Sequence, residues 1–100
     1  MKEYVHFVYE ISRKFPKEEM YGSISQIRRA SLSICLNYVE GYDRAKILVR
    51  INFLETSYGS LHESEFLLEF ALEENWISEK EYEFGHRLAD EMGAMLWREM

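Results

Sequence analysis

The feature that most constrains the fold is a long apolar repeat in the second half of the chain. Its positions alternate steps of four and three residues: Ile47, Ile51, Leu54, Tyr58, Leu61, Glu65, Leu68 and Leu72. Glu65 is the only charged member. A repeat with an average step of about 3.5 residues places its members along one side of an α-helix and is typical of bundles and coiled coils. We predict one long helix over residues 44–74, capped by Asp43 and stopped by Asn75.

The first segment of the chain has a shorter repeat of the same kind. Its apolar positions are Tyr4, Val5, Val8, Ile11 and Phe15. Pro16 follows directly, and a helix stops there because proline has no amide hydrogen and disfavours the α conformation of the residue before it. The sequence therefore predicts a first helix that ends near Phe15, with residues 17–22 as a connector.

The second segment is unusual because it has almost no charge. Ser23 and Gln26 have the spacing of a capping box, which predicts a helix start at Ser23, and Gly41 is suited to a left-handed C-terminal cap. Between Arg29 and Glu40 no residue is charged. A helix with so little solvated surface is either central in its fold or covered by another subunit.

The fourth segment has the clearest start signal in the chain. Ser78 and Glu81 form a capping-box pair, and Ile77 with Tyr82 have the spacing of a hydrophobic staple. The apolar series that follows is Tyr82, Gly85, Ala89, Met92 and Leu96. Four helices with short connectors must pack antiparallel to their sequence neighbours. We therefore expect an all-α, up-and-down antiparallel four-helix bundle that forms a single domain over residues 1–100.

Charge and hydropathy narrow the classes of protein and partner. The longest stretch without charge, residues 30–39, is ten residues long, about half of a membrane span. No secretory signal is visible and there is one cysteine, Cys35, so we expect a cytoplasmic protein. The net charge is −6, but residues 1–50 hold nine basic against six acidic residues, and residues 51–100 hold three against twelve. Nucleic acid would therefore have to meet a local basic patch.

Candidate chemistry is sparse. Glu3 with His6 and Glu83 with His86 show the Glu-x-x-His spacing of di-iron bundles, but in an up-and-down bundle we expect the two motifs near opposite ends. Cys35 lies in the charge-free stretch, which favours a buried structural thiol. We expect no catalytic residue, metal site or cofactor, and hence no enzyme.

The basic residues of the first half are the candidates for phosphate contacts. They are Arg28, Arg29, Arg44, Lys46 and Arg50. Ion pairing with the acidic second half is the alternative explanation for them. Gly59 and Ser60 lie in mid-helix, where we expect close helix contact, and antiparallel pairing predicts a polar contact between Gln26 and Ser60.

An ordered set of motifs carries a family resemblance. The motifs are Phe15-Pro16-Lys17-Glu18-Glu19, Ser25 to Ala30 with Gln26, Ser33 with Asn37, Glu40-Gly41, Phe53-Leu54, Gly59-Ser60-Leu61 and Glu63. They resemble the four-helix-bundle family encoded by intervening sequences in large-subunit ribosomal RNA genes, whose members were once labelled ribosomal proteins. Cys35 and Ser57 depart from the family, which commonly has proline and alanine there.

The resemblance implies a bundle that often forms a ring-like homopentamer and has no known catalysis. A related branch, the accessory variability determinants of diversity-generating retroelements, binds nucleic acid and a reverse transcriptase through a basic surface, and this acidic chain departs from that pattern. We therefore expect a non-catalytic module that forms a ring-like homo-oligomer and contacts no membrane. The alternative is a nucleic-acid-binding accessory factor with structured RNA or a reverse transcriptase as partner.

Overall fold

Four α-helices of unequal length make up the computed structural model, which describes residues 1–100. They are α1 (Lys2–Ser12), α2 (Ser25–Tyr42), α3 (Ile47–Glu73) and α4 (Glu79–Glu99). A 3₁₀ turn (Lys17–Glu19) and a wide turn (Met20–Ile24) connect α1 to α2. The all-α prediction is confirmed. None of the four helices has the combination of length and hydropathy that a membrane span requires.

The connector between α1 and α2 is more ordered than the sequence suggests. Phe15 is buried and Pro16 is extended, as the proline predicts, and a helical turn resumes at Lys17. The predicted capping box of Ser23 and Gln26 is wrong. The carboxylate of Glu19 instead accepts hydrogen bonds from the amide and the hydroxyl of Ser23, and α2 begins two residues later than expected. The carboxylate of Glu19 therefore caps the wide turn, and α2 itself begins after Ile24 without a side-chain cap.

Gly41 has a different role from the one expected. It does not adopt a left-handed conformation, and α2 continues through Tyr42 with Asp43 as its C-terminal cap. A Cβ atom at Gly41 would lie 2.8 Å from the Cβ of Phe53 and 3.3 Å from the carbonyl oxygen of Arg50. The glycine therefore allows α2 and α3 to approach closely where they meet. The predicted cap of α3 by Asp43 is also wrong, since α3 begins after Lys46.

The long helix α3 runs without a break past Gly59 and carries the central part of the core. Leu54, Leu61 and Leu68, one heptad apart, are buried as predicted. Other predicted members of the repeat are not buried, since Ile47 is 66% exposed and Tyr58 and Glu65 are half-buried. Buried Ser57 and Ser64 occupy the intervening positions instead. Ser57 donates to the carbonyl of Ile34, 2.7 Å away on α2. A small residue with a satisfied hydroxyl lets neighbouring helices pack against α3 without an unpaired polar group.

The end of α3 and the start of α4 are as predicted. Asn75 has a φ of 63°, the amide of Trp76 donates to Ala71, and the amide of Asn75 donates to Leu72, which together form a Schellman cap. Ser78 and Glu81 then form both hydrogen bonds of the capping box.

Contacts along the helices confirm the up-and-down arrangement. Ser60 faces Ser33, which pairs α3 with α2, and Lys14 forms an ion pair with Glu81, which pairs α1 with α4. The buried hydroxyl of Tyr4 reaches across the bundle to Ser64 at 2.7 Å. The bundle measures 43 × 25 × 18 Å. Its long axis matches the roughly 40 Å expected for the 27 residues of α3.

Candidate interaction surface

The basic residues proposed for phosphate contacts do not form one surface. Arg28 lies half-buried between α1 and α2, where its Nε donates to Ser12 Oγ at 2.8 Å and its guanidinium stacks over the ring of Tyr9. It therefore fastens α1 to α2. Arg29 is exposed, but it lies about 20 Å of helix rise from the end of α2.

The other three basic residues, Arg44, Lys46 and Arg50, lie together at the α2–α3 corner. Arg44 pairs with Glu40 at 3.1 Å and stacks over the ring of Phe53, and the guanidinium of Arg50 donates to the carbonyl of Arg44 at 3.3 Å. Contacts within the corner thus partly neutralise Arg44 and hold Arg50 against the backbone. Glu40, a residue of the family motif, has an electrostatic role here.

The polar contact expected between Gln26 and Ser60 is wrong. Ser60 donates to Ser33 at 2.8 Å, and the amide of Asn37 donates to the hydroxyl and the carbonyl of Ser33, both at 2.9 Å. Gln26 is exposed. The tight corner after Gly41 sets the register of α2 against α3. In this register Ser60 lies opposite Ser33, which is two helical turns after Gln26 on α2.

Gly59 and Glu63 are family-motif residues that point outwards. A Cβ atom at Gly59 would meet nothing within 4 Å, so the close helix contact predicted for this glycine is wrong within one protomer. Glu63 is exposed as well. The close approach occurs instead at Gly41, which also belongs to the motif.

An apolar stripe follows the outer surface of α2. Leu32, Leu36 and Val39, at positions i, i+4 and i+7, are 38%, 63% and 63% exposed. We call these three residues the α2 stripe. Exposed Arg29 extends it by one turn at its N-terminal end. This is the uncharged surface that the sequence placed either inside the fold or against another subunit, and within one protomer it faces solvent.

A second apolar stripe follows the outer surface of α3. Phe66 and Phe70, one turn apart, are 66% and 39% exposed, and Glu63 precedes them on the same face. We call these three residues the α3 stripe. Exposed phenylalanine pairs on a helix surface are typical of contact sites rather than of solvated faces.

Cys35 does not have the surroundings of a nucleophile. It is only half-buried, less than expected, and lies beside the α2 stripe. Burial nevertheless raises the pKa of its thiol, which favours the protonated, unreactive form. No hydrogen bond joins it to a histidine.

The two Glu-x-x-His motifs do not lie near opposite ends of the bundle, as we expected. Their histidines instead face different neighbouring helices. His6 lines a cavity between α1 and α4 with Lys80 and Phe84. His86 turns to α3, where its Nδ1 lies 3.2 Å from Glu65. The sequence analysis did not predict this contact between Glu65 and His86. The feature that could have indicated it is Glu65, the only charged residue in the apolar repeat of α3, because a carboxylate at such a position needs a polar partner on a neighbouring helix.

Comparison with known proteins agrees with the fold and with the motifs. A family model described as 23S rRNA-intervening sequence protein matches residues 1–98. A crystal structure from Bacteroides thetaiotaomicron VPI-5482, described as a protein with unknown function from the S23 ribosomal protein family, is similar with a TM-score of 0.85 and 21% identity. The similarity covers 94% of this chain and 88% of that one. No curated protein shows significant similarity to the chain.

Proposed function

Because the chain belongs to the 23S rRNA-intervening sequence protein family, we propose that it is a non-catalytic interaction module that assembles with copies of itself into a closed ring. The family resemblance suggests five protomers for that ring. A bundle of this kind serves as a scaffold whose binding surfaces are repeated around the ring.

The α2 stripe is the observation that carries the proposal. Leu36 and Val39 each expose 63% of their surface on a helix that has no charge between Arg29 and Glu40. Full burial of one such aliphatic side chain contributes about 1.5–3 kcal/mol. A partner that covers the whole stripe therefore gains several kcal/mol, while an uncovered stripe leaves this surface in water.

The α3 stripe is a suitable counterpart for the α2 stripe. Helix rise gives both the same length, roughly 10 Å from Leu32 to Val39 and roughly 10 Å from Glu63 to Phe70. The cation Arg29 lies one turn beyond the α2 stripe, and the α3 stripe contains a carboxylate, Glu63. A contact between two different surfaces of the same protomer is heterologous, and it closes into a ring when the rotation from one protomer to the next divides a full turn.

Assembly is tested first by size-exclusion chromatography with light scattering. We expect a discrete oligomer for the unaltered protein and a folded monomer for Leu36→Glu, because a carboxylate in the covered stripe would lose its hydration. Leu48→Glu is the matched control, since Leu48 is an exposed leucine outside both stripes. A monomeric unaltered protein at micromolar concentration would refute the proposal.

A mixing experiment tests whether the contact joins the two different stripes. Leu36→Glu blocks the α2 stripe and Phe66→Glu blocks the α3 stripe, so we expect each variant alone to be monomeric. Each still has one intact stripe, and the mixture should therefore form dimers that grow no further. If the mixture stays monomeric, or if Phe66→Glu alone assembles normally, the heterologous contact is wrong.

The geometry gives less support to the nucleic-acid alternative. The guanidinium of Arg28 binds Ser12 between α1 and α2. Arg29 is far from the corner that holds Arg44, Lys46 and Arg50. Filter binding with structured RNA at two salt concentrations distinguishes the alternatives, since phosphate contacts weaken steeply with salt. We expect no salt-sensitive binding, and strong binding at low salt would favour the accessory-factor alternative and, with it, a partner such as a reverse transcriptase.

A further inference from the structure

A cluster of three metal-ligating side chains lies on the outer surface between α3 and α4. Glu65 belongs to α3, and His86 and Asp90 are one turn apart on α4. One ligand atom from each residue can be chosen such that all three lie within 4.8 Å of one another. The imidazole of His86 lies between the carboxylates, with Nδ1 at 3.2 Å from Glu65 and Nε2 at 3.4 Å from Asp90.

The spacing of these residues suits chelation of a metal ion. His86 and Asp90, at positions i and i+4, project from the same face of α4, and Glu65 faces them from the neighbouring helix. Ligand atoms around a tetrahedral zinc ion lie about 3.4 Å apart, since each is about 2.1 Å from the metal. Glu65 faces Nδ1 and Asp90 faces Nε2 of the same ring, so an ion bound to one of these nitrogens requires the carboxylate at the other to swing round the imidazole. Asp90 is exposed, which leaves room for this rotation.

A second histidine, His62, lies one turn before Glu65, outside the group of donor atoms that lie within 4.8 Å of one another. His62 lines the same cavity as Glu65 and His86, and it also lines the adjoining cavity with Asp90. The ring of Tyr58 contacts His62 edge-on, with centroids 4.6 Å apart, and Tyr82 stacks on His86 at 5.7 Å. Each histidine is therefore oriented by an aromatic neighbour, which lowers the entropy lost when it binds an ion.

The electrostatic surroundings favour a cation at this place. Glu69 adds a third carboxylate to the same cavity, and neither Glu65 nor Asp90 forms an ion pair with lysine or arginine. These carboxylates create a negative potential that no ion pair with lysine or arginine neutralises.

We propose that Glu65, His86 and Asp90, with His62 as the fourth ligand, form a binding site for a divalent transition-metal ion of the zinc type between α3 and α4. Two imidazoles and two carboxylates suit zinc, nickel or cobalt ions, whereas magnesium and calcium prefer oxygen ligands alone. The four ligands belong to one protomer. Phe66 of the α3 stripe lines the same cavity, but no ligand comes from a second protomer, so failure of the metal site would leave the proposed function intact.

The test is a calorimetric titration of the untagged protein with zinc chloride. We expect one ion per protomer with a micromolar dissociation constant, and no comparable binding of magnesium chloride. Cobalt chloride provides a second readout, because tetrahedral cobalt bound to nitrogen and oxygen gives a visible absorption much stronger than that of the hydrated ion. Failure to bind zinc at hundredfold molar excess would overturn the proposal, as would magnesium binding of equal strength.

Variants identify the ligands. His86→Gln should weaken zinc binding at least about tenfold, and Glu65→Gln and His62→Gln should each weaken it and reduce the cobalt absorption. His6→Gln is the matched control, because His6 is also an exposed histidine beside carboxylates but lies between α1 and α4. Equal losses in His6→Gln and His86→Gln, with unchanged circular dichroism, would show that zinc binds non-specifically and would refute the site.

Discussion

The close approach of α2 and α3 at Gly41 makes a sharp prediction about stability. In Gly41→Ala the new methyl group would lie 2.8 Å from the Cβ of Phe53 and 3.3 Å from the carbonyl oxygen of Arg50. Neither neighbour is the mobile end of a side chain. The two helices must therefore move apart at the corner, or α2 must unwind its last turn.

The size of the effect follows from two opposing contributions. Overpacking of a close contact costs about 1–3 kcal/mol, whereas replacing glycine by alanine in a helix gains up to about 1 kcal/mol, and less at a helix end such as Gly41. We expect a net loss of about 1–2 kcal/mol. A loss of 1 kcal/mol lowers the melting temperature of a chain of this size by about 4–8 °C.

Gly59→Ala is the matched control, because Gly59 is in mid-helix and its new methyl group would meet nothing within 4 Å. This variant should gain about 0.8–1 kcal/mol. Urea unfolding followed by far-ultraviolet circular dichroism measures both variants, at equal protein concentrations since assembly shifts apparent stability. If Gly41→Ala is as stable as Gly59→Ala, the helices do not approach as closely at this corner as described.

Two further predictions concern the start of α4. Ser78→Ala removes the hydroxyl that accepts from the amide of Glu81 and should cost about 1 kcal/mol in urea unfolding; an unchanged midpoint would contradict the capping role. The Lys14 ammonium, followed by the amide of Ser78, holds the pKa of Glu81 below its ordinary value. The ionised Glu81 carboxylate therefore stabilises the folded state. This stabilisation is fully present above the pKa of Glu81 in the unfolded chain, about 4.3, and is lost as the pH falls through its lower pKa in the folded protein. Glu81→Gln should therefore flatten the fall in stability below pH 4.3, and parallel pH profiles would refute this.

Much of the fold could be predicted because its determinants are local. The spacing of Leu54, Leu61 and Leu68 defines the buried side of α3, and Ser78 with Glu81 defines the start of α4. Both depend on residues within one or two helical turns of each other. The predicted cap by Ser23 and Gln26 was wrong because Glu19 competes for the same amide, and the capping-box pattern does not include a residue before the serine.

The candidate surfaces were only partly predictable. An uncharged α2 indicates a helix with little solvated surface, and the structure shows that Leu32, Leu36 and Val39 are the apolar face that one protomer leaves exposed. The α3 stripe was not foreseen, since the repeat that dominates α3 describes its buried side. The five basic residues were grouped because they lie in a region poor in carboxylates, and a helix of 18 residues is long enough to separate them.

The sequence by itself determined four helices, their approximate limits, their antiparallel order, the buried side of α1 and α4 and, through Leu54, Leu61 and Leu68, that of α3. Only the tertiary structure decided which residues meet across helices: Ser60 with Ser33, Gly41 with Phe53, and His86 with Glu65. The physical reason is that helical periodicity and capping act over a few residues, whereas the register between two helices depends on the geometry of their junction and on the volumes packed along the whole contact.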